Sequence, residues 1–180
     1  MRLILLLLAL AGCAHQRASE TPKTPHQLGG MTVQSPNETG WKLMKMKGPA
    51  LGWGKINGPP IGFATIGVQL SSPYDPKAFE DFLTERALAP DPKRYRLIET
   101  RKMTITKHGL PCVKYHTLAE DAESLQPRFY KTSGFFCPLT SSDQALHYEL
   151  SERSEDRMIS LEATKIGLEV FQGIKLTGPR

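Results

Sequence analysis

The amino-acid sequence predicts an α+β domain in which an antiparallel sheet of about six to eight strands packs against two main helices. Three observations lead to this prediction. Short apolar segments alternate with turn residues along most of the chain, which is typical of strands joined by short connections. Two other segments repeat apolar residues at helical spacing. With 39% hydrophobic and 23% charged residues, the composition is that of a folded protein rather than a disordered one.

The first twelve residues, MRLILLLLALAG, predict a cleaved signal peptide. Arg2 supplies the positive charge, and the apolar stretch 3–10 is too short to span about 30 Å of hydrocarbon. The run LAGC that ends at Cys13 resembles the lipobox of bacterial lipoproteins, in which a peptidase cuts before the cysteine and the cysteine is then acylated. The resemblance implies a lipid anchor on Cys13. A secretory peptide with a chance cysteine is the alternative.

The residues around the predicted anchor indicate where the domain is held. Two or three acyl chains would retain the protein on a membrane, since each buried methylene contributes about 0.8 kcal/mol. In enterobacterial lipoproteins an Asp after the cysteine favours the inner membrane, so Ala14 implies by resemblance the periplasmic face of the outer membrane. Residues 13–30 contain few large apolar side chains and end in Gly-Gly, and we predict a flexible tether there. The remainder, 31–180, is predicted to be one globular domain.

Four strands are predicted at the start of this domain, at residues 31–34, 41–47, 51–56 and 63–70. In the last of them one alternate set of side chains is uniformly apolar and is predicted to face the core; its members are Ala64, Ile66, Val68 and Leu70. A helix is predicted next. It begins with Asp75 as N-cap and Pro76 in the first turn, and it ends at Pro90.

Four further strands are predicted at residues 96–107, 112–118, 129–138 and 144–153, with a turn at His108-Gly109 and a polar loop after Leu118. A second helix is predicted over residues 155–172. Its apolar stripe consists of Ile159, Ala163, Ile166 and Val170. Residues 174–176 are predicted to add a terminal strand. Since consecutive strands are joined by short turns, the sheet is predicted to be antiparallel with helices packed on it.

The two remaining cysteines, Cys112 and Cys137, predict a disulfide bond. The compartment outside the cytoplasm is oxidising, and the two predicted strands are expected to be near each other. A catalytic thiol paired with His116 is the alternative. Residues four apart on a strand are about 13 Å apart, however, which is too far for a direct hydrogen bond.

No catalytic motif, metal site or cofactor site is predicted. The formal charge of +5 becomes +4 when Arg2 is removed with the leader, because 22 basic residues then face 18 acidic ones. This mild excess does not indicate nucleic-acid binding. A candidate basic patch, able to meet lipid headgroups or an acidic partner, consists of Lys42, Lys45, Lys47 and Lys55 near Trp41 and Trp53. A plain solvated sheet face is the alternative.

The chain is similar to a group of small proteobacterial lipoproteins of unknown function. The similarity is carried by SPNETGWKL, FATIGVQL, AFEDFL, HGLPCVKYH with the AED after it, FFCPL and FQGIKL. The order of strands and helices also resembles the PsbP/Mog1-type α/β/α sandwich, whose members are mostly binding or assembly factors. These resemblances imply a binding domain and carry over no catalytic residues.

Three functions are therefore open. The leading hypothesis is a membrane-tethered, non-enzymatic envelope domain that binds a protein partner or assists assembly. One alternative is an enzyme acting on an envelope polymer or lipid, using His116, His147 and Glu149, which would require a pocket where these side chains converge. The other is a carrier or sensor for a small apolar ligand, which would require an open cavity between sheet and helix.

Overall fold

The structure of the protein, a computed structural model, describes residues 24–57, 62–71, 93–107, 109–123, 128–139 and 144–176. Cys13, the predicted leader and the helix predicted from Asp75 to Pro90 lie outside the described residues. Ten strands and one helix are described. In chain order they are β1 (Pro25–Leu28), β2 (Met31–Gln34), β3 (Lys42–Met44), β4 (Ala50–Asn57), β5 (Gly62–Ser71), β6 (Tyr95–Lys107), β7 (Leu110–Asp121), β8 (Arg128–Pro138), β9 (Ala145–Ser154), α1 (Leu161–Gln172) and β10 (Lys175–Leu176).

Seven of the strands form the main sheet, in the order β3-β4-β5-β9-β8-β7-β6. Every neighbouring pair in it is antiparallel. The antiparallel prediction is confirmed, and the strand number lies within the predicted range. The other three strands form a small sheet with β2 between β1 and β10. Two of its strands, β2 and β10, were predicted. β1 and the pairing of these strands into a separate sheet were not predicted, because a strand of four residues carries too little alternation to be recognised.

Alternating residues of β9 define the two faces of the main sheet. Leu146, Tyr148 and Leu150 belong to the hydrophobic core that also contains the buried side of α1, and we call their side the helix face. His147 and Glu149 point to the other side, which we call the opposite face. These two side chains are buried as well. Both sides of β9 are therefore covered, as expected for the central strand of a sheet.

The predicted core positions are confirmed on β5 and α1. The four apolar residues of β5 are at most 5% exposed. In the helix, Ala163, Ile166 and Val170 are buried. The ring of Phe171 stacks on that of Phe135 with 4.3 Å between centroids. These contacts fix α1 over the middle of the main sheet.

One buried hydrogen bond also ties the helix to the sheet. The Tyr148 hydroxyl donates to the carbonyl oxygen of Gly167 at 2.6 Å. Burial raises the pKa of this hydroxyl far above its usual range, so it remains a neutral donor. Gly167 faces Tyr148 at a position where a Cβ atom would lie 2.6 Å from the hydroxyl oxygen, which explains why the helix has a glycine at its contact with the sheet.

The helix begins later than predicted. Residues 155–160 lie outside it, and Ser160 is the N-cap, its side chain accepting from the backbone N–H of Ala163 at 3.2 Å. The N–H of Ser160 in turn donates to a Glu152 carboxylate oxygen at 2.6 Å. The predicted helix started at residue 155 because Ile159 continues the helical spacing of the apolar stripe. In the structure the helix starts only after the Ser160 cap.

Cys112 and Cys137 form a disulfide bond, with their Cα atoms 4.2 Å apart. The bond joins β7 to β8 next to the paired residues Val113 and Phe136. Both cysteines are at most 1% exposed. The predicted disulfide is therefore present, and neither sulfur is available as a thiol nucleophile.

Two boundaries differ from the predictions. β1 lies within the segment predicted as a tether, because Leu28 is buried in the core and His26 meets the Trp53 ring edge-on at 5.6 Å between centroids. The ordered domain therefore includes residues before 31. β7 continues to Asp121, through part of the loop predicted after Leu118. Its end is held by Asp121, which accepts from Arg94 at 2.9 and 3.0 Å and also pairs with Arg153.

Among the described residues, no helix has both the length and the hydropathy needed to cross a bilayer.

Candidate functional site

A groove of about 570 Å³ lies on the helix face over β6 and β7, at one edge of the main sheet. We call it the edge groove. The residues that line it include Ile98, Glu99, Arg101, Met103, Lys114, His116, Leu118, Arg157 and Met158. Its volume falls within the range of about 300–1,000 Å³ that is usual for binding sites. It is larger than a second cavity, of about 80 Å³, on the opposite face.

The register between β6 and β7 places these side chains together. Arg101 is directly opposite His116, and Met103 is opposite Lys114. Cys112, two residues before Lys114, faces the core on the helix side. Since side chains two apart on a strand share a face, Lys114 and His116 and their partners Met103 and Arg101 also point to the helix face. The tight turn that brings the strands back on each other contains Gly109 at φ 74°, a conformation that favours glycine.

The edge groove is basic. Arg101, Lys114 and Arg157 contribute three cations on its helix-face side, against the single carboxylate of Glu99. That carboxylate already forms an ion pair with Arg101. The Arg157 guanidinium lies 5.1 Å from the centre of the Phe129 ring, a cation–π contact that orients it. The groove therefore carries a net positive charge, because its one carboxylate does not neutralise all three cations.

The edge groove also exposes large apolar side chains. Met103 is 58% exposed, Met158 78% and Ile98 37%. Single exposed apolar side chains are common, but several around one groove indicate a contact surface. An occupant would therefore need both apolar and anionic groups.

A buried lysine holds the segment that carries Arg157 and Met158 in place through hydrogen bonds. Lys131, which is fully buried, donates to the carbonyl oxygen of Met158 at 2.9 Å and to the Ser154 hydroxyl at 2.6 Å. Burial lowers the pKa of Lys131, and the nearby Glu152 and Asp156 act against that shift. These bonds hold this wall of the groove in place beside the N-terminus of α1.

His116 lies half-buried within the groove. Burial lowers its pKa below the usual value of about 6.5. Arg101 and Lys114 lower the pKa further, while Glu99 opposes them. The imidazole is therefore neutral near pH 7, and the basic character of the groove at that pH comes from its arginines and lysine.

We expect His116 to titrate below pH 6.5 in an NMR titration of its ring protons, and His116→Asn identifies the resonance. Because the folded-state pKa is depressed, the unfolded chain binds the extra proton first, and this group lowers the stability as the pH falls below about 6.5. A midpoint at or above 6.5 would contradict the burial of this ring. In that contradicting case the parent would lose no more stability on acidification than the variant His116→Asn.

The other residues proposed for an enzymatic site meet on the opposite face. The hydroxyl of Tyr115 donates to Glu149 at 2.8 Å and lies 2.6 Å from Nε2 of His147. Since a hydroxyl has one hydrogen, it accepts from His147 when it donates to Glu149. All three side chains are buried. His116, on the helix face, is not part of this network.

A cavity of about 80 Å³ borders His147 and Glu149. Met44 and Met46 line its other side, and Gly67 leaves it open because no atom lies within 4 Å of where a Cβ would stand. This space suits a few water molecules and is far too small for a polymer. The convergence of His116, His147 and Glu149 that the enzymatic alternative requires is therefore absent.

The predicted basic patch is not a single surface. Trp53 is 2% exposed and belongs to the core. Trp41 is half-buried, with its Nε1–H 3.4 Å from Glu38. Lys55 pairs with Glu38 at 3.0 Å and with Glu162 at 2.6 Å. Lys42, Lys45 and Lys47 are exposed. The sequence pattern failed here because Trp53 and Lys55 both lie on the helix face of β4, toward the core and α1.

The ion pairs of Lys55 also shift its pKa. Burial would lower it, but the hydrogen bonds that Lys55 donates to Glu162 and Glu38, together with the negative charges of these carboxylates, outweigh burial and raise the pKa of Lys55. Lys55 therefore stays charged and links β4 to the first turn of α1.

No group of three or more His, Cys, Asp or Glu side chains able to hold a metal ion occurs in the described ranges.

Sequence reasoning did not identify the edge groove. A signal was present in residues 96–107, where charged side chains occupy both alternate sets, Arg101 and Lys102 among them. Charge on both faces is typical of an edge strand. Nothing in the sequence pattern indicated the contribution of Arg157 and Met158, which reach the groove from a segment that begins 50 residues after Lys107.

No protein-family model matches the chain. No curated protein matches it either. It is similar in structure to Saccharomyces cerevisiae Mog1p, described as a Ran-binding protein, with a TM-score of 0.51 and 10% identity over 86% of this chain and 95% of that chain. A single-substitution mutant of Mog1 gives a TM-score of 0.50 and 10% identity over 87% of this chain and 97% of that one.

A third solved structure is Mycobacterium tuberculosis LpqN, described as involved in cell envelope biogenesis, with a TM-score of 0.47 and 12% identity over 89% of this chain and 88% of that chain. At identities this low, the two Mog1 comparisons show the fold alone. They agree with the Mog1-type architecture that the order of elements predicted.

Proposed function

We propose that this chain is a lipid-anchored, non-enzymatic factor of the cell envelope, facing the periplasm, which binds a protein partner or helps to assemble an envelope complex. The anchor rests on Cys13 and the LAGC run that ends at it. Binding rests on the edge groove, the one observation that carries this proposal. Ala14 favours the outer membrane as the site of anchoring.

The composition of the groove favours a protein partner over a small apolar ligand. A carrier for an apolar ligand needs an enclosed apolar cavity, whereas Arg101, Lys114 and Arg157 surround this one with charge. Mixed apolar and cationic surfaces are usual in protein interfaces, where Met and Arg are enriched. The Mog1p of yeast, a protein of this fold, is described as Ran-binding. That description gives a precedent for protein binding and does not identify a partner here.

A site-specific crosslinking experiment in cells tests the proposal. A photoreactive phenylalanine analogue in place of Met103, which is 58% exposed in the groove, is expected to crosslink to a discrete envelope protein. The same analogue in place of the exposed Lys45, beyond the other edge of the sheet, is the matched control. No adduct from Met103, or equal adducts from both positions, would remove the groove as the binding surface.

The anchor is tested in the same cells. Cys13→Ser is expected to abolish lipidation, so that the chain leaves the membrane fraction and the Met103 adduct decreases strongly. The loss follows from the lower concentration of the domain near a membrane-bound partner. A Cys13→Ser chain that fractionates like the parent would contradict the anchor.

A further inference from the structure

The geometry points to an extended acidic segment of a protein that adds to the main sheet as a strand beside β6 and places its side chains in the edge groove. This inference rests on the proposed function, because it specifies the partner chemistry of the same groove. It requires three things of the structure: an available strand edge, side chains that alternate correctly, and complementary charge.

β6 is the last strand of the main sheet, and its described pairing is with β7 on one side. It has 13 residues. A bulge interrupts the pairing between Leu97 and Glu99, but from Glu99 to Lys107 the register with β7 is continuous. An edge strand of this length presents a row of backbone donors and acceptors to an incoming chain. Strand addition at such an edge is a common mode of peptide recognition.

The side chains of β6 alternate between the groove and the opposite face. The side chains of Glu99, Arg101 and Met103 line the groove from the helix face, and Thr100 and Lys102 alternate with them along the strand. A strand added beside β6 would place every second side chain at the groove, next to Arg101 and Met103. Directly opposite side chains interact when charges are complementary or both are apolar. The matching sequence has an acidic residue next to Arg101 and an apolar residue two positions away, next to Met103.

The distribution of charge favours a peptide over an anionic lipid. A lipid carries its charge at one end and needs its cations grouped at one mouth of a site. Here Arg101 and Lys114 lie on two different strands, and Arg157 lies on the far wall. Such a distribution is complementary to charges repeated along an extended chain. Exposed Arg and Lys side chains also repel the same cationic strand of a second copy and so prevent the two edge strands from pairing. An acidic strand is attracted to these cations instead.

The test is a binding titration with defined probes. The full-length protein is titrated into a fluorescent peptide of sequence ETVTETVT, which places Glu and Val alternately on one face and Thr on the other. KTVTKTVT reverses the charge, and ETVPEPVT keeps the acids but blocks strand pairing. Vesicles of phosphatidylglycerol and phosphatidylethanolamine test the lipid alternative. We expect ETVTETVT to bind at least tenfold more tightly than either control peptide, with an affinity that falls as salt is added.

A charge-reversed pair of variants tests the residues. Arg101→Glu/Lys114→Glu is expected to weaken binding of ETVTETVT at least tenfold, since opposed like charges are strongly unfavourable. Lys42→Glu/Lys45→Glu makes the same change in net charge near the other edge of the sheet and is expected to bind like the parent. Circular dichroism establishes that both variants remain folded. Equal losses in both would mean that net charge alone governs binding.

Equal losses in both variants overturn the inference, and so do two outcomes of the titration with peptides and vesicles. One is binding of the vesicles but not of ETVTETVT; the other is equal binding of ETVTETVT and ETVPEPVT, which would exclude strand pairing. The in-cell adduct at Met103 separates these failures from failure of the proposed function. If that adduct forms and persists in Arg101→Glu/Lys114→Glu, a protein partner exists and its chemistry is not acidic. If the Met103 adduct never forms, the proposed function is overturned as well.

Discussion

Replacing Cys112 and Cys137 together by alanine is expected to lower the free energy of unfolding by about 3.5 kcal/mol. The cysteines are separated by 25 positions, and a crosslink around a loop of about 26 residues removes roughly that much free energy from the unfolded chain on the chain-entropy estimate. This is a large share of the 5–15 kcal/mol that is typical of a whole domain. Urea denaturation of the oxidised parent and the double variant measures the difference.

A comparison with the reduced parent separates the effect of the bond from the loss of packing. Reducing the parent with dithiothreitol should lower its stability nearly as much as the double substitution, since reduction breaks the bond and keeps both sulfur atoms. Alanine is preferred to serine here because both positions are at most 1% exposed, and a buried hydroxyl without a partner carries its own cost. A reduced parent within about 1 kcal/mol of the oxidised one would show that the bond contributes little.

The disulfide also bears on the candidate site. Cys112 lies on β7, two residues before Lys114, and is paired with Ile105 of β6. The bond fastens this end of β7 to β8, and β7 forms the floor of the edge groove. In the reduced protein we therefore expect the floor of the groove to be held by backbone pairing and the core alone.

Much of the fold was predictable because its signals are local. The alternation in β5 and the helical stripe in α1 are each contained within about twelve residues, and both faces were assigned correctly. The pairing of Cys112 with Cys137 was predictable from the oxidising compartment that the leader predicts and from the short connections between strands. β2 and β10 were predicted as strands, but β1 was not. The pairing of the three into a sheet was also missed, since it depends on contacts between residues distant in the sequence, such as Lys175 with Thr32.

The candidate site was less predictable, because it is built from side chains brought together by register. The basic patch predicted from lysines close in the sequence is not one surface, because Lys55 is ion-paired to α1 while Lys42, Lys45 and Lys47 are exposed. The groove instead joins β6, β7 and the segment before α1. The pairing of Arg101 with His116 depends on the register of a hairpin and on a bulge at its far end. Neither can be derived from composition or spacing.

The buried network on the opposite face provides the second large expected effect. Gly134→Ala is expected to lower the free energy of unfolding by about 3 kcal/mol or more, the upper range for overpacking a core position. An added Cβ would lie 2.6 Å from the ring and hydroxyl of Tyr115 and would also collide with the backbone oxygen of Tyr148. Neither neighbour can yield, since one is backbone and the other is bonded to His147 and Glu149.

The chain offers a closely matched control for this substitution. Gly67 and Gly134 are the two cross-strand neighbours of Glu149, one on each side of it. At Gly67 a Cβ would meet nothing within 4 Å, so Gly67→Ala should change stability by no more than about 0.5 kcal/mol, or raise it slightly by restricting the unfolded chain. Denaturation curves of the two variants give the comparison directly. Equal losses would show that glycine is needed on this face for backbone reasons, whereas a loss confined to Gly134→Ala shows that Tyr115 occupies the space above it to bond His147 and Glu149.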